Sequence, residues 1–326
     1  MFLAQYHIIK LMDNINLSTF YSSLVVIVLI IIFGFILGKI KWIDKNTNKK
    51  LVNLLLMVFM PASLFVAFPS EYSAEFSDLF LKGLIGGVVT MVLVIVAAKV
   101  IYNKKFFPGE LSYESQFAFA FNNATFLGYP LINMAFGERG IVPYCGFIIA
   151  FNIALFSYGV WLFERKVSPK FFLRVITNPN IIAVAIGMII FLCRINLASS
   201  VPTSVIKTAI QYIANATTPL SILCVGYMLS TADFKKVFKK WRLFPVAAIQ
   251  LIFAPLITFF VTKILFQFPD EVVLICTLIQ ALPTATSLGL FAEKYNGDVA
   301  ESSQLVVVST LMSFLTLPLI MGLLFS

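Results

Sequence analysis

Long apolar stretches alternate with short polar, lysine-rich ones along this chain, and the apolar stretches have bilayer-crossing length. A run of roughly 17 to 25 mostly apolar residues can cross as a helix. Ten spans are predicted on that basis, at 17–38, 49–69, 81–102, 114–135, 140–163, 178–196, 206–229, 243–266, 271–292 and 300–325. Two of them are broken in the same way. The fourth reads Asn122-Asn123-Ala124-Thr125-Phe126-Leu127-Gly128-Tyr129-Pro130, and the ninth reads Leu282-Pro283-Thr284-Ala285-Thr286-Ser287-Leu288-Gly289. Proline and glycine free backbone groups that lipid cannot satisfy, so such breaks survive only inside protein or beside a wet cavity.

The halves of the chain match. The second and seventh spans carry internal prolines, Pro61 and Pro219, and the fourth and ninth are broken near Pro130 and Pro283. Five spans per half place the halves in opposite orientations. That predicts two inverted five-helix repeats, 17–165 and 166–326, with a site near the midplane where they meet. Residues 1–16 are read as an extracytoplasmic tail. Lys10 is followed by Asp13 and two asparagines, and no small-residue cleavage site follows a short apolar core.

Composition agrees with an all-α polytopic membrane protein. The chain is 60% hydrophobic and 12% charged, where soluble domains carry about 25% charged residues. A membrane barrel would show short alternating segments instead. The net charge of +9 does not point to nucleic acid, because its placement is topological. Loops after spans one, three, five, seven and nine hold 18 of the 24 basic residues. Cytoplasmic loops are the basic ones, which puts both termini outside.

Metal and cofactor chemistry is not expected. Cys145, Cys193, Cys224 and Cys276 have neither metal nor redox spacing, and the one histidine, His7, precedes the first span. No histidine lies in any span and neither HExxH nor GxSxG occurs, so nothing supports a catalytic constellation. No GxxxxGK[ST] loop is present, so ATP is not the direct energy source.

The chemistry lies in the breaks. Pro130 and Pro283 can each begin a half-helix, since proline loses nothing at the first helical position. Two half-helix N-termini meeting at mid-membrane would hold an anion without a full positive charge. The polar groups offered there are neutral: Asn122, Asn123, Thr125, Thr284, Thr286 and Ser287. Each could equally cap a broken helix or act as packing glue. Asn178-Pro179-Asn180 either caps the sixth span or adds a ligand contact. Asp78 and Lys82 share a helix face, and are either an interfacial ion pair or a coupling site.

Asn123, Thr125, Gly128, Pro130 and Leu131 together resemble the fourth-span motif of the auxin efflux carrier family. Ala281-Leu282-Pro283, followed by Phe291-Ala292-Glu293-Lys294-Tyr295-Asn296, is similar to its ninth-span signature, and Asn178-Pro179-Asn180 to the start of its sixth span. The resemblance runs from about residue 17 to the end. It implies ten spans with spans four and nine crossing at Gly128, Pro130 and Pro283. It also implies organic-anion transport by an elevator-like motion, with spans one, two, six and seven as scaffold, and a homodimer. Asn123 and one of Asn178 or Asn180 would touch the substrate carboxylate. The Asp78/Lys82 pair resembles an acidic-basic pair of the plant members. The short basic loop between the halves looks like that of the bacterial permeases, and residues after Pro283 depart from the plant pattern, which argues against auxin itself.

The expected function is therefore a secondary transporter for small organic anions such as carboxylates, with the substrate, lipid and a second copy as partners and no cofactor. Two alternatives stay open. One is a sodium-coupled organic-anion symporter of the bile-acid-carrier type, although intramembrane carboxylates are scarce for a sodium site. The other is a membrane sensor that binds a ligand without moving it.

Overall fold

Continuous apolarity produces helices that can bury or expose every face, and helices make up nearly all regular structure among the described residues. The computed structural model describes residues 17–69, 71–103, 111–164, 170–197, 200–295 and 297–325. The predicted tail, residues 1–16, lies outside them.

Helix α1 (Leu17–Lys39) is apolar all round and leaves Val25, Leu29 and Phe33 exposed, as a lipid-facing helix does. Asp44 then caps α2 (Lys45–Leu54) by accepting the Thr47 N–H at 2.7 Å. A π-turn, Leu55–Phe59, leads into α3 (Met60–Phe65), with Pro61 at its second position. Proline has no N–H for the helical ladder, and the widened turn before it absorbs the mismatch. Helices α4 (Ala74–Ile101) and α5 (Leu111–Ala120) follow.

A second π-turn, Ala124–Gly128, precedes α6 (Tyr129–Ala154), again with a proline, Pro130, at the second helical position. Inside α6 the backbone leaves the helical region at Gly137 (φ 55°, ψ −142°), a kink that separates the second half of the expected fourth span from the fifth. No atom lies within 4 Å of where a Gly137 Cβ would sit. The demand for glycine there is torsional, not steric. Short α7 (Val160–Glu164) and α8 (Lys170–Ile176) lead to α9 (Pro179–Leu192), α10 (Val201–Asn215), α11 (Thr217–Ser230) and α12 (Phe234–Lys239). The chain closes with α13 (Leu243–Phe260), α14 (Asp270–Ala281), α15 (Ser287–Lys294) and α16 (Val299–Phe325).

Among the described residues, 6 helical stretches are long and apolar enough to cross a membrane: Ser18–Lys39, Ala74–Ile101, Ala124–Glu164, Val201–Ser230, Leu243–Leu265 and Val299–Phe325. The second half of the expected fourth span and the fifth span fall within one of these stretches, kinked at the non-helical Gly137; the second is split into α2, a π-turn and α3, the ninth into α14 and α15, and α9 has only 14 residues.

Packing divides the helices into two groups. In one, α1 lies along α11, while α3 packs on α9 and α10. In the other, α4 lies along α6, and α13 packs on α5, α14 and α16. Close approach between α1 and α11 depends on Gly226, where an added Cβ would sit 2.3 Å from the Ile31 carbonyl oxygen. The groups meet where α11 packs on the π-turn Ala124–Gly128 and where α1 packs on α6, with the rings of Phe20 and Phe136 stacked at 6.2 Å. Trp42 and Trp241 are exposed beside the basic stretches after α1 and α12, the usual place for interfacial tryptophan.

Candidate functional site

Leu282 ends α14 because the residue before a proline avoids the helical region, and its φ of −70° and ψ of 156° are extended. Phe121 to Asn123 likewise leaves α5 in a non-helical conformation. The two non-helical segments pair. Asn122 and Thr284 form an antiparallel bridge, with the Asn123 N–H donating to the Pro283 carbonyl at 2.7 Å and the Ala285 N–H donating to the Phe121 carbonyl at 2.9 Å. Each break thus satisfies the other's backbone, which lipid could not.

Helix restarts are not at the prolines. On the fourth-span side the helix resumes at Ala124, with Asn123 as its cap: the Asn123 side chain accepts the Phe126 N–H at 3.2 Å. Pro130 lies a turn further in, where its lost N–H is tolerated by the π-turn. On the ninth-span side Pro283 sits in the extended segment and the helix resumes only at Ser287. A cap needs a side-chain acceptor or an extended residue before the first turn, and proline supplies neither acceptor nor N–H.

A buried amide network braces the crossing. Asn122 Nδ2 donates to Gln280 Oε1 at 2.7 Å, and Gln250 Nε2 donates to the Leu282 carbonyl at 2.8 Å. The Thr284 hydroxyl reaches Gln250 Oε1 at 3.4 Å, and the Thr284 N–H donates to the Ser309 hydroxyl at 3.1 Å. Tyr144 donates to the Ala124 carbonyl at 3.1 Å. Sequence reasoning missed Gln250, Gln280, Ser309 and Tyr144. Gln250 carried a signal, as the one amide in the stretch 243–266 and the one polar residue between Leu243 and Leu256.

Some polar atoms at the crossing are left over. Asn123 Nδ2, Asn122 Oδ1 and Gln280 Nε2 are buried without a hydrogen-bond partner. An unsatisfied buried polar atom costs about 1–3 kcal/mol, so three of them in one place point to a guest or a water. Thr125 is the second residue of one restarted helix and Thr286 the residue just before the other, and both are half-buried. Gly128 packs close to the partner break, where an added Cβ would sit 2.9 Å from Leu282 Cδ1. A cavity of about 310 Å³ opens alongside, lined by Leu127, Leu131, Leu282 and Pro283 from the breaks, and by α1 and α16.

Other expected site residues are not part of this network. Asn178 caps α9, accepting the N–H groups of Asn180 at 2.9 Å and Ile181 at 3.4 Å. Asn180 is buried with its Oδ1 unpaired. Helix α9 packs on α3 and the turn before it, and no hydrogen bond joins either asparagine to the crossing among the described residues. Asp78 and Lys82 form an ion pair at 2.5 Å, their side chains 51% and 35% exposed, and so exposed a pair has small energetic weight. Among the described residues no group of three or more His, Cys, Asp or Glu is arranged to hold a metal.

The chain is similar to known membrane transport proteins over most of its length. A family model described as membrane transport protein matches residues 19–321. An uncharacterized transporter from Methanothermobacter thermautotrophicus is 22% identical over 298 residues, covering 90% of this chain and 94% of the relative.

Proposed function

We propose that this chain, which belongs to the auxin efflux carrier family of membrane transport proteins, carries small organic anions such as carboxylates as a secondary transporter. The observation that supports the anion reading is the amide of Asn123. Its oxygen is used as a helix cap and its Nδ2 is buried without an acceptor, inside the crossing. A donor left over in that position suits a carboxylate, and the restarted helices at Ala124 and Ser287 add their N-terminal partial charge. In this reading Asn123, Thr125 and Thr286 face the anion. Asn122 and Thr284 hold the crossing in register through Gln280, Gln250 and Ser309.

The ten-span, inverted-repeat arrangement and the elevator-type cycle belong to the same proposal. The division of packing supports it: α1, α3, α9, α10 and α11 form the scaffold, and the crossing rides with the other group. Asn180 then sits on the scaffold and would meet the anion in only part of the cycle. A homodimer in a bacterial inner membrane, with both termini outside, completes the proposal. Moving one charge through 100 mV is worth about 2.3 kcal/mol, which is enough to drive anion export without a coupled ion.

The test is a thermal-shift screen of organic acids on the purified protein, followed by uptake of the stabilising acids into proteoliposomes. Stabilisation with uptake supports the transporter. Stabilisation without uptake, under either polarity of membrane potential, would mean a sensor.

A further inference from the structure

Among the described residues one carboxyl is buried, and it lies outside the crossing. Glu114 lies in the first turn of α5, is 5% exposed, and its Oε2 has no hydrogen-bond partner. The backbone N–H of Asp298, just before α16, donates to this carboxyl, and Asp298 and Glu301 add negative charge beside it. Ser302, one turn after Asp298, and Ser115, next to Glu114, are both buried with unpaired hydroxyls.

No cation on the neighbouring described elements compensates. Lys99 of α4 is held over the rings of Tyr158 and Trp161, and exposed Lys294 of α15 lies over Tyr295. Glu293 of α15 is exposed, Glu164 of α7 is half-buried, and α13 has no ionisable residue. Tyr102, at the end of α4, donates to the Val246 carbonyl. An ionised carboxyl with a bare oxygen, among like charges and away from water, is costly, and a proton on Oε2 removes that cost.

We propose that Glu114 is a proton-binding site of this protein, taking a proton on Oε2 from water on the basic-loop side and returning it during the transport cycle. Glu114 precedes Ala120, the last residue of the same helix, by roughly 9 Å at 1.5 Å per residue, and the crossing segment follows directly. A change of charge at its foot therefore acts on the element that presents the crossing. That last step rests on the transport reading, whereas the proton site itself does not.

The experiment is infrared difference spectroscopy across a pH titration of the protein in nanodiscs, without substrate, for wild type, Glu114→Gln, Glu114→Asp and Asp78→Asn. A protonated-carboxyl stretching band is expected in wild type and Asp78→Asn, lost in Glu114→Gln and shifted in Glu114→Asp. A band unchanged in both Glu114 variants overturns the proposal, as does absence of any such band in wild type. Proton uptake measured alongside substrate flux then separates the two readings. A Glu114 band in a protein that carries no organic acid leaves the proton site standing and removes the transporter. Flux without a Glu114 band does the reverse.

Discussion

Asn122 and Thr284, more than 150 residues apart, face each other as an antiparallel pair with one backbone hydrogen bond on either side. This is the non-hydrogen-bonded kind of pair, in which Cα atoms come to about 4.5 Å. That separation is within the disulfide range of about 4.4–6.8 Å. In a background with Cys145, Cys193, Cys224 and Cys276 replaced, Asn122→Cys with Thr284→Cys should crosslink under mild oxidant. Two continuous helices packed side by side would leave both thiols free in a mass measurement.

Gln250 ties a plain apolar helix to the crossing by donating to the Leu282 carbonyl. Gln250→Leu leaves that carbonyl and the Thr284 hydroxyl without their partner, at a cost of about 1–3 kcal/mol. Thermal unfolding in detergent should show the loss, and an unchanged midpoint would mean that the brace carries no weight.

How much of this was legible in the sequence depends on what signals it. The breaks were visible because Pro130, Gly128 and Pro283 interrupt apolar stretches. Where the helices restart was not, because Asn123 and the extended Leu282–Thr286 segment decide it through caps and pairing, which proline positions do not report. The pairing of Asn122 with Thr284 is a long-range contact with no local pattern. Gln250 and Gln280 were visible as polar residues in apolar surroundings, but only the fold shows what they touch. Asn178 was readable as a cap and is one, while its neighbour Asn180, expected from the resemblance, is buried with its Oδ1 unpaired.

Gly226 allows α11 to lie on α1. Gly226→Val should push the helices apart and cost about 1–3 kcal/mol, the usual range for overpacking a filled contact. Gly137→Ala should be destabilising for a different reason, its φ of 55°. Unfolding midpoints of the two variants check both.

Acid should loosen the loops on the basic side. Asp44 and Asp233 cap α2 and α12, and the N–H groups of Thr47 and Lys236 hold their carboxyls below the usual carboxylate value. Their contribution is present above the unfolded-state value and is lost as pH falls through the lowered one. Asp44→Asn with Asp233→Asn, which keeps the caps but not the charge, should flatten the acid limb of a stability-pH curve; an unchanged acid limb would contradict this.

The most direct test is anion binding by Asn123→Asp set against Asn123→Ala. Measured by calorimetry with an acid that stabilises the wild type, both should lose binding, the aspartate more completely because it sets a negative charge against the guest. The Asn122–Thr284 crosslink should still form in each. Wild-type affinity in Asn123→Asp would contradict the account, because an anion cannot be held by a donor that has become a carboxylate.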